Sequence, residues 1–465
     1  MRERDAGRLA ALAGARVAGD ADVIVGPDVV IDSRAATSGC LFVALPGEHA
    51  DGHDFADRAV AAGAAAVLGT RELALGVPQL IVADAGAGLA ALGTGIAAEA
   101  TAAGMVTIGI TGSSGKTSTK DLVAQVLAVA GETVAPVGSF NNEIGVPLTA
   151  TRVTPDTRFL VSEMGARGQG HITWLCGIVP PQVGVVVNVG HAHLGEFGSV
   201  EAIARAKGEL VEALPADGWA VLNADDPLVT GMRSRTGART AAFSRAGEPA
   251  WGDARVWASE ITADALQRPR FTLHAGTAAA PVQLLVSGVH QVENALAAAA
   301  VAVTRGLDVA GIAAALSAAR ARSHWRMELA ERPDGVLVVN DSYNANPDSM
   351  AAALRTLASL RRPGGRLLAV LGDMLELGPG APAEHRATGA LAAELGVDAL
   401  IALGDHAGDL AAGYGPATML APSREIAVSA ASAWLQPADV VLVKASRGLG
   451  LESVAEQLSA VEGGR

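Results

Sequence analysis

The sequence predicts an α/β protein in which short apolar strands alternate with helices. At 465 residues the chain is too long for one typical core, so two to three domains are expected. Strand and helix patterns occur on both sides of a glycine-rich stretch at 109–117, and the composition turns polar near Ser323. We predict a small α/β domain over 1–84, a central domain with a mostly parallel sheet over 85–322, and a C-terminal Rossmann-like domain over 323–465.

Composition narrows the class of protein. Apolar residues make up 50% and aromatic residues 3%, so Ala, Val and Leu must build the cores. A net charge of −13 argues against a nucleic-acid partner, which requires a basic surface. The two cysteines, Cys40 and Cys176, fall in different predicted domains, so we expect no disulfide and a reducing compartment. No signal-peptide core and no apolar run of about 18 residues is present, so a cytoplasmic protein without membrane insertion is expected.

The first predicted domain alternates short elements. Strands are predicted at 21–26, 41–45, 64–68 and 79–83, with a helix over 55–62. The triplet Asp32-Ser33-Arg34 precedes the second strand. Arg34 is suited to a phosphate or a uronate-like anion, although such a triplet before a strand more often provides capping and surface charge.

The central domain begins with a helix over 85–100 and a strand over 105–110, followed by Thr111-Gly-Ser-Ser-Gly-Lys-Thr117 and a helix from Lys120. Strand, glycine loop and helix in this order are typical of a phosphate-binding loop. Backbone N–H groups and a helix N-terminus can surround phosphate oxygens, Lys116 adds a positive charge, and the Thr117 hydroxyl can bind Mg²⁺. Ile110 stands where the strict pattern has glycine.

Polar residues follow the next strands of this domain. A strand at 158–165 ends near Glu163, and a strand at 183–190 is followed by His191 and His193. Ligands of open parallel sheets bind beyond the carboxyl ends of the strands, so these side chains are expected beside the phosphate loop. Before these strands, in the segment 139–149, the paired asparagines Asn141 and Asn142 are predicted to lie on a loop because they stand beside Gly145 and Pro147.

The remaining elements are predicted from the same periodicities. A helix over 200–214 carries Lys207, a surface residue on composition alone, and a strand follows at 219–223. Residues 240–285 alternate as antiparallel strands do, and a helix opens near 288. The last domain has strands at 335–340, 366–371 and 440–444, and a helix over 348–360. Its loop 341–347 is dense in hydrogen-bonding side chains.

Six ordered motifs resemble those of the Mur ligase family over nearly the whole chain. They are Thr111-Gly-Ser-Ser-Gly-Lys-Thr117, Asn141-Asn-Glu-Ile-Gly-Val-Pro147, Ala192-His-Leu194, Ala206-Lys-Gly-Glu209, Asp341-Ser-Tyr-Asn-Ala-Asn-Pro347 and Gly372-Asp-Met-Leu-Glu-Leu-Gly378. The last two favour, within the family, the activity that joins D-alanyl-D-alanine to UDP-N-acetylmuramoyl-tripeptide. The resemblance implies a UDP-sugar domain, an ATPase domain and a closing C-terminal domain, a monomer, and an acyl phosphate intermediate.

The resemblance also implies residue roles. Lys116, Lys207 and His193 would be catalytic, with Lys207 carbamylated. Two Mg²⁺ ions would be held by Thr117, Glu163, His193 and Lys207. ATP would contact Gly112, Ser113, Ser114, Gly115, Lys116, Thr117, Ser118, Asn294, Arg326 and Asp341. The substrates would contact Ser33, Arg34, Asn141, Asn142, Tyr343, Asn344 and Asn346.

Three other functions fit parts of the sequence. The first is a related ligase such as a folate polyglutamate ligase, and the 341–347 loop argues against it. The second is a P-loop NTPase switch, which would hydrolyse ATP without an acceptor. The third is a catalytically inactive binding protein, which the presence of Lys116, Thr117 and Glu163 disfavours. Two positions depart from the family pattern: Trp325 replaces a small residue before Arg326, and Ala445 replaces the glycine of a Lys-Gly-Ser sequence.

Overall fold

A computed structural model describes residues 1–47, 50–190 and 194–460, with Leu194 described by its backbone alone. Its strands form three main sheets that follow one another along the chain, which we call the N-terminal, central and C-terminal sheets. None of the helices in the described ranges combines the length and apolar character needed to cross a bilayer.

The N-terminal sheet has five strands in the order β2-β7-β6-β5-β4, and only the β2–β7 pair is antiparallel. Its apolar core continues into the central region, because Leu89 and Leu92 of the following helix belong to one buried cluster with Leu41 and Leu160. The elements are β1 (Arg4–Asp5), α1 (Ala6–Ala13), β2 (Arg16–Ala18), β3 (Ile24–Val25), β4 (Val29–Val30), β5 (Leu41–Val43), α2 (Ala56–Ala61), β6 (Ala66–Gly69), β7 (Gln79–Ile81) and α3 (Ala85–Ala102).

The central sheet has nine strands in the order β16-β15-β14-β13-β12-β11-β8-β10-β9. Pairs from β9 to β14 are parallel, and β14, β15 and β16 are antiparallel, as the alternation at 240–285 predicts. The elements are β8 (Val106–Thr111), α4 (Lys116–Leu127), β9 (Glu132–Val134), α5 (Gly145–Ala150), β10 (Thr157–Glu163), α6 (His171–Ile178), β11 (Val183–Val186), α7 (Leu194–Phe197), α8 (Val200–Glu212), β12 (Trp219–Asn223), α9 (Pro227–Gly231), β13 (Arg239–Ser244), β14 (Ala254–Ala263), β15 (Pro269–Ala275), β16 (Ala278–Gln283), α10 (Gln291–Thr304) and α11 (Val309–Ala318).

The C-terminal sheet has six strands in the order β17-β18-β22-β19-β20-β21. All pairs are parallel except β17–β18, so an antiparallel edge strand is added to the predicted Rossmann-like sheet. The elements are β17 (Glu328–Glu331), β18 (Leu337–Asn340), α12 (Pro347–Ser359), β19 (Leu367–Leu371), α13 (Ala381–Glu394), β20 (Ala399–Ala402), α14 (Ala407–Tyr414), β21 (Thr418–Leu420), α15 (Arg424–Trp434), β22 (Val440–Lys444) and α16 (Glu452–Ser459).

The paired asparagines Asn141 and Asn142 lie on a loop, as predicted, directly before helix α5. The segment 139–149 contains the start of α5, because Asn142 Oδ1 accepts the backbone N–H of Gly145 at 2.9 Å and of Ile144 at 3.3 Å. Pro147 lies in the first turn, where a missing N–H costs little. The N-terminus of α5 is therefore capped by the second asparagine. Helix α4 begins at Lys116 and not at Lys120.

The C-terminal domain contains a close helix crossing that depends on glycine. A Cβ added to Gly389 of α13 would overlap the backbone oxygen of Leu410 in α14. We expect Gly389→Ala to lower the free energy of unfolding by about 1–3 kcal/mol, because the two backbones would have to separate. Gly408→Ala, in the first turn of α14 with no atom within 4 Å of the added Cβ, is the matched control and should be neutral or slightly stabilising. Equal urea denaturation midpoints for the two variants would contradict this packing.

Candidate active site

The loop between β8 and α4 has the geometry of a phosphate-binding loop. Gly115 has φ 77°, a conformation that favours glycine, and directly precedes the first residue of α4. The chain that follows β11 braces the loop from one side. Ser114 N–H donates to Asn188 Oδ1 at 2.9 Å, and Ser113 N–H donates to the Asn188 carbonyl at 3.1 Å. The loop is thus rigid, and the N-terminus of α4 points its free N–H groups into the site.

Oxygen ligands lie directly beside the loop lysine. The Thr117 hydroxyl donates to Glu163 Oε2 at 2.9 Å, and Asn141 Nδ2 donates to Glu163 Oε1 at 2.8 Å. Lys116 Nζ folds back onto the Gly112 carbonyl at 2.7 Å. Burial lowers the pKa of Lys116, Glu163 opposes this shift and Arg326 adds to it. An anion in the loop would stabilise the charged lysine.

The C-terminal sheet supplies the opposite wall of the site. Arg326 Nη2 donates to Thr117 Oγ1 at 2.8 Å and to Ser139 Oγ at 2.9 Å, and its Nε is buried without a partner among the described residues. Asp341, directly after β18, accepts from Lys444 Nζ at 2.6 Å. Asn346 caps α12 and reaches the Ser113 carbonyl at 3.4 Å. The carboxyl ends of two sheets therefore face each other across one cleft.

This cleft is a cavity of about 450 Å³. It is lined by most of the predicted site residues, namely Ser113, Ser114, Gly115, Lys116, Thr117, Ser118, Asn141, Asn142, Glu163, Asn294, Arg326, Asp341, Tyr343, Asn344 and Asn346. Gly112 contributes only its carbonyl to Lys116. The predicted ligands His191 and His193 lie outside the described residues.

Two predicted substrate residues lie apart from this cavity. Ser33 is buried, and the Arg34 guanidinium is 74% exposed and paired with Asp32 at 2.6 Å. This pairing lowers the pKa of Asp32 to about 2. The arrangement matches the capping interpretation in this state, and it leaves the outer N–H groups of Arg34 accessible.

Lys207 is buried, unlike the surface residue that composition predicts. It is 3% exposed on α8, and within the described ranges its Nζ makes no hydrogen bond. Burial and the positive charge of Lys116 lower its pKa far below the ordinary value. The chain has four lysines in all. Each of the other three donates to a backbone carbonyl: Lys116 to Gly112, Lys120 to Gly138 and Lys444 to Asn344. Lysine is therefore confined to this region, and arginine supplies the rest of the basic charge.

The motifs miss several residues of the cavity wall. Ser139, Arg167, His171, Asn188, His290, Gln291, Lys444 and Arg447 all line it. A usable signal existed for Asn188 and Lys444, which stand at or just after the carboxyl ends of β11 and β22. Burial lowers the pKa of His290, which favours the neutral form of this cavity-lining residue.

The two departures from the family pattern have different consequences. Ala445 is buried and is not among the residues with positive φ, so replacing glycine there causes no backbone strain. Trp325 has φ 60°, a left-handed conformation that is uncommon for a bulky residue. Its position next to Arg326 places this strain at the edge of the cavity.

Three family models match the chain in order. They are the Mur ligase family catalytic domain over 28–105, the Mur ligase middle domain over 110–302 and the Mur ligase glutamate ligase domain over 325–447. The UDP-N-acetylmuramoyl-tripeptide–D-alanyl-D-alanine ligase of Mycobacterium tuberculosis is 49% identical, over 93% of this chain and 92% of its own length. The ligase of the same description from Escherichia coli is 37% identical, over 92% and 93%.

Solved structures agree with these sequence relatives. MurF from Acinetobacter baumannii superposes with a TM-score of 0.87 at 30% identity, covering 99% of this chain and all of that one. MurF from Thermotoga maritima in complex with ADP gives a TM-score of 0.78 at 29% identity, covering 93% and 97%. With its phosphate loop, its three sheets and these relatives, the chain belongs to the Mur ligase family, within its MurF group.

Proposed function

We propose that this protein is an ATP-dependent ligase that joins D-alanyl-D-alanine to UDP-N-acetylmuramoyl-tripeptide, forming ADP and phosphate, in peptidoglycan precursor synthesis. The observation that carries the proposal is the cleft in which the phosphate loop faces residues after β18 and β22. A carboxylate and an amine do not condense readily in water. The phosphate loop allows ATP to activate the carboxylate, and the opposite wall leaves room for the amine.

The first step is transfer of the γ-phosphate to the terminal carboxylate of the tripeptide. A carboxylate oxygen bonds to phosphorus, the bond to the ADP oxygen breaks, and an acyl phosphate forms. Lys116 and Arg326 would stabilise the negative charge on the transferring group. The Arg326 Nε, which has no partner among the described residues, is a donor that a phosphate oxygen would satisfy. In the second step the amine attacks the acyl carbon and inorganic phosphate leaves.

The residues present fit a magnesium site. Thr117 and Glu163 place a hydroxyl and a carboxylate 2.9 Å apart beside the phosphate loop, and oxygen ligands of this kind are those that Mg²⁺ prefers. Within the described ranges, which leave out His193, no three His, Cys, Asp or Glu side chains form a cluster. Bound Mg²⁺ would neutralise charge on the β- and γ-phosphates. We propose Thr117 for one ion, and Glu163, His193 and carbamylated Lys207 for a second.

The carbamate on Lys207 is chemically reasonable in this environment. Only a neutral amine attacks CO₂, and burial beside Lys116 favours the neutral amine. The resulting carbamate is an anion that would attract the positive charge of Lys116 and a divalent cation. We therefore propose Lys116, Lys207 and His193 as the residues that support phosphate transfer.

Substrate recognition divides between the domains. We propose Ser33 and Arg34 for the UDP-sugar, Asn141 and Asn142 for the peptide, Asn294 for the adenine, and Asp341, Tyr343, Asn344 and Asn346 for the closing wall.

The domains are proposed to be 1–84, 85–322 and 323–465. One chain forms the whole cleft, which supports a monomer. Use of ATP and a UDP-linked precursor supports a cytoplasmic enzyme, as do the two free cysteines.

The proposal predicts dipeptide-dependent product formation. With ATP, Mg²⁺ and UDP-N-acetylmuramoyl-tripeptide present, adding D-alanyl-D-alanine should yield the pentapeptide and one ADP per bond, measured by chromatography and a coupled ADP assay. The control omits the dipeptide. Equal ADP release with and without it, and no new amide product, would instead indicate an ATPase switch.

A further inference from the structure

The acceptor dipeptide presents a problem that the phosphate-binding residues do not solve. Besides the attacking amine it carries a C-terminal carboxylate, and a carboxylate enclosed in a cleft needs a cationic partner. Three cations of the cavity already have tasks: Lys116 lies in the phosphate loop, Arg326 contacts Thr117, and Lys444 is paired with Asp341. Arg167 and Arg447 are the further arginines that line the cavity.

Arg447 is held in place by aromatic rings. Its guanidinium carbon lies 4.2 Å from the centre of the Trp325 ring and 5.8 Å from that of Tyr343. Stacking occupies the flat face of a guanidinium and leaves the N–H groups along its edge free to donate. One of these, on Nη1, contacts Glu452 at 3.1 Å, and no other hydrogen bond of this guanidinium occurs within the described ranges. Arg447 is therefore oriented and has unused donors.

The position of Arg447 suits the length of the acceptor. Arg326 stacks on the same Tyr343 ring at 4.3 Å, and its Nη2 marks the phosphate side of the cleft through Thr117. The two guanidinium carbons are therefore at most about 10 Å apart, whereas an extended dipeptide spans about 7 Å. An amine at the acyl phosphate and a carboxylate at Arg447 can thus belong to one D-alanyl-D-alanine molecule.

The strained backbone of Trp325 supports a role for its side chain. A left-handed conformation at a bulky residue costs energy and persists where the surroundings hold it. Here the indole N–H donates to Glu456 at 3.3 Å, and the ring contacts Arg447 and stacks with Tyr343 at 6.5 Å. The ring is therefore anchored on α16, and it links the segment before Arg326 to Arg447.

We propose that Arg447, held by Trp325 and Tyr343, binds the C-terminal carboxylate of the D-alanyl-D-alanine acceptor through the edge of its guanidinium. The inference rests on the proposed function and assigns the residue that selects a dipeptide acid. Arg167 is less suited to this task, because no aromatic ring of the described residues stacks on it and it lies in the loop between β10 and α6, on the wall that carries Glu163.

The test compares D-alanyl-D-alanine with D-alanyl-D-alaninamide, whose C-terminus is uncharged. The wild-type protein should prefer the acid by on the order of 10- to 100-fold in kcat/KM, the range expected for a hydrogen-bonded ion pair. In Arg447→Ala this preference should fall to less than about 3-fold, chiefly through a higher KM for the acid. Arg447→Lys should retain part of it. Trp325→Gly, which suits the left-handed backbone, should also weaken it.

The acid-to-amide ratio is measured on one variant at a time, so a general loss of activity does not alter it. Arg355→Ala, an exposed arginine on α12 outside the cavity lining, is the matched control and should keep the wild-type ratio. Trapping of the acyl phosphate by hydroxylamine, without dipeptide, reports whether each variant performs the first step. A wild-type protein that forms neither hydroxamate nor pentapeptide would reject the proposed function itself.

Three results would overturn the assignment of Arg447. They are a wild-type enzyme that does not distinguish acid from amide, an Arg447→Ala variant that keeps the full preference, and loss of the preference in Arg167→Ala alone. The last result would place the carboxylate on the central wall of the cleft.

Discussion

Lys116→Ala is expected to lower kcat/KM for pentapeptide formation by on the order of 1000-fold. Lys116 is the cation of the phosphate loop, and the charge on a transferring phosphoryl group is stabilised mainly by such fixed positive groups. Burial already lowers the pKa of this lysine. A bound phosphate would oppose this shift and favour the charged form of Lys116, so the interaction strengthens as charge develops on the phosphate.

The measurement is steady-state ligation together with the apparent affinity for ATP. Lys116→Arg should recover only part of the activity, because the larger, planar guanidinium cannot reproduce the hydrogen bond from Lys116 Nζ to the Gly112 carbonyl within the loop. Arg355→Ala again serves as the control. More than a tenth of the wild-type rate in Lys116→Ala would place the essential charge on another residue, with Arg326 the first candidate.

Local patterns predict the elements of this site better than they predict its contacts. The phosphate loop, the strand ending at Glu163 and the loop at 341–347 are each determined by neighbours in sequence, and the structure places all three on one cavity. Arg326 and Thr117 lie 209 positions apart, and their contact depends on how two sheets face each other. A sequence motif can identify such residues, but their contact depends on tertiary packing, which local sequence patterns do not reveal.

Backbone conformation and side-chain burial explain the other differences between the predicted and the observed structure. The N-terminus of α5 depends on a side-chain cap from Asn142, which residue propensities do not reveal. Lys207 looks like a surface residue because lysine is normally exposed, although its spacing from Ile203 and Leu210 puts it on the buried face of α8. Likewise, the left-handed backbone of Trp325 could not be predicted, because that conformation normally favours glycine.

Lys207→Met is expected to lose most ligase activity, by at least on the order of 100-fold, while the unliganded protein becomes more stable. Activity should fall because methionine cannot carry the carbamate. Stability should rise by about 1–3 kcal/mol, because a buried amine that makes no hydrogen bond within the described ranges is replaced by an apolar side chain of similar length. Ligation assays and urea denaturation of the same preparations measure both effects.

The pH dependence of stability provides a second measurement. The folded-state pKa of Lys207 lies below its unfolded value, so between these two values the unfolded chain binds the additional proton. Lys207 therefore contributes a gain in stability as the pH rises through this window, and a loss as it falls. In Lys207→Met that contribution to the slope should be absent, whereas Arg355→Ala should keep the wild-type slope.

One further variant and a spectroscopic signal distinguish a carbamylated lysine from a purely structural one. Lys207→Arg keeps a cation that cannot be carbamylated, so it should be as inactive as Lys207→Met, and added bicarbonate should restore neither. Bicarbonate labelled with carbon-13 should give the wild-type protein a carbamate resonance that both variants lack. Full activity in Lys207→Met would refute the carbamate. If activity falls while stability rises, the buried lysine is retained at a cost to the fold, and that cost is explained by the chemistry it performs on the nucleotide side of the cleft.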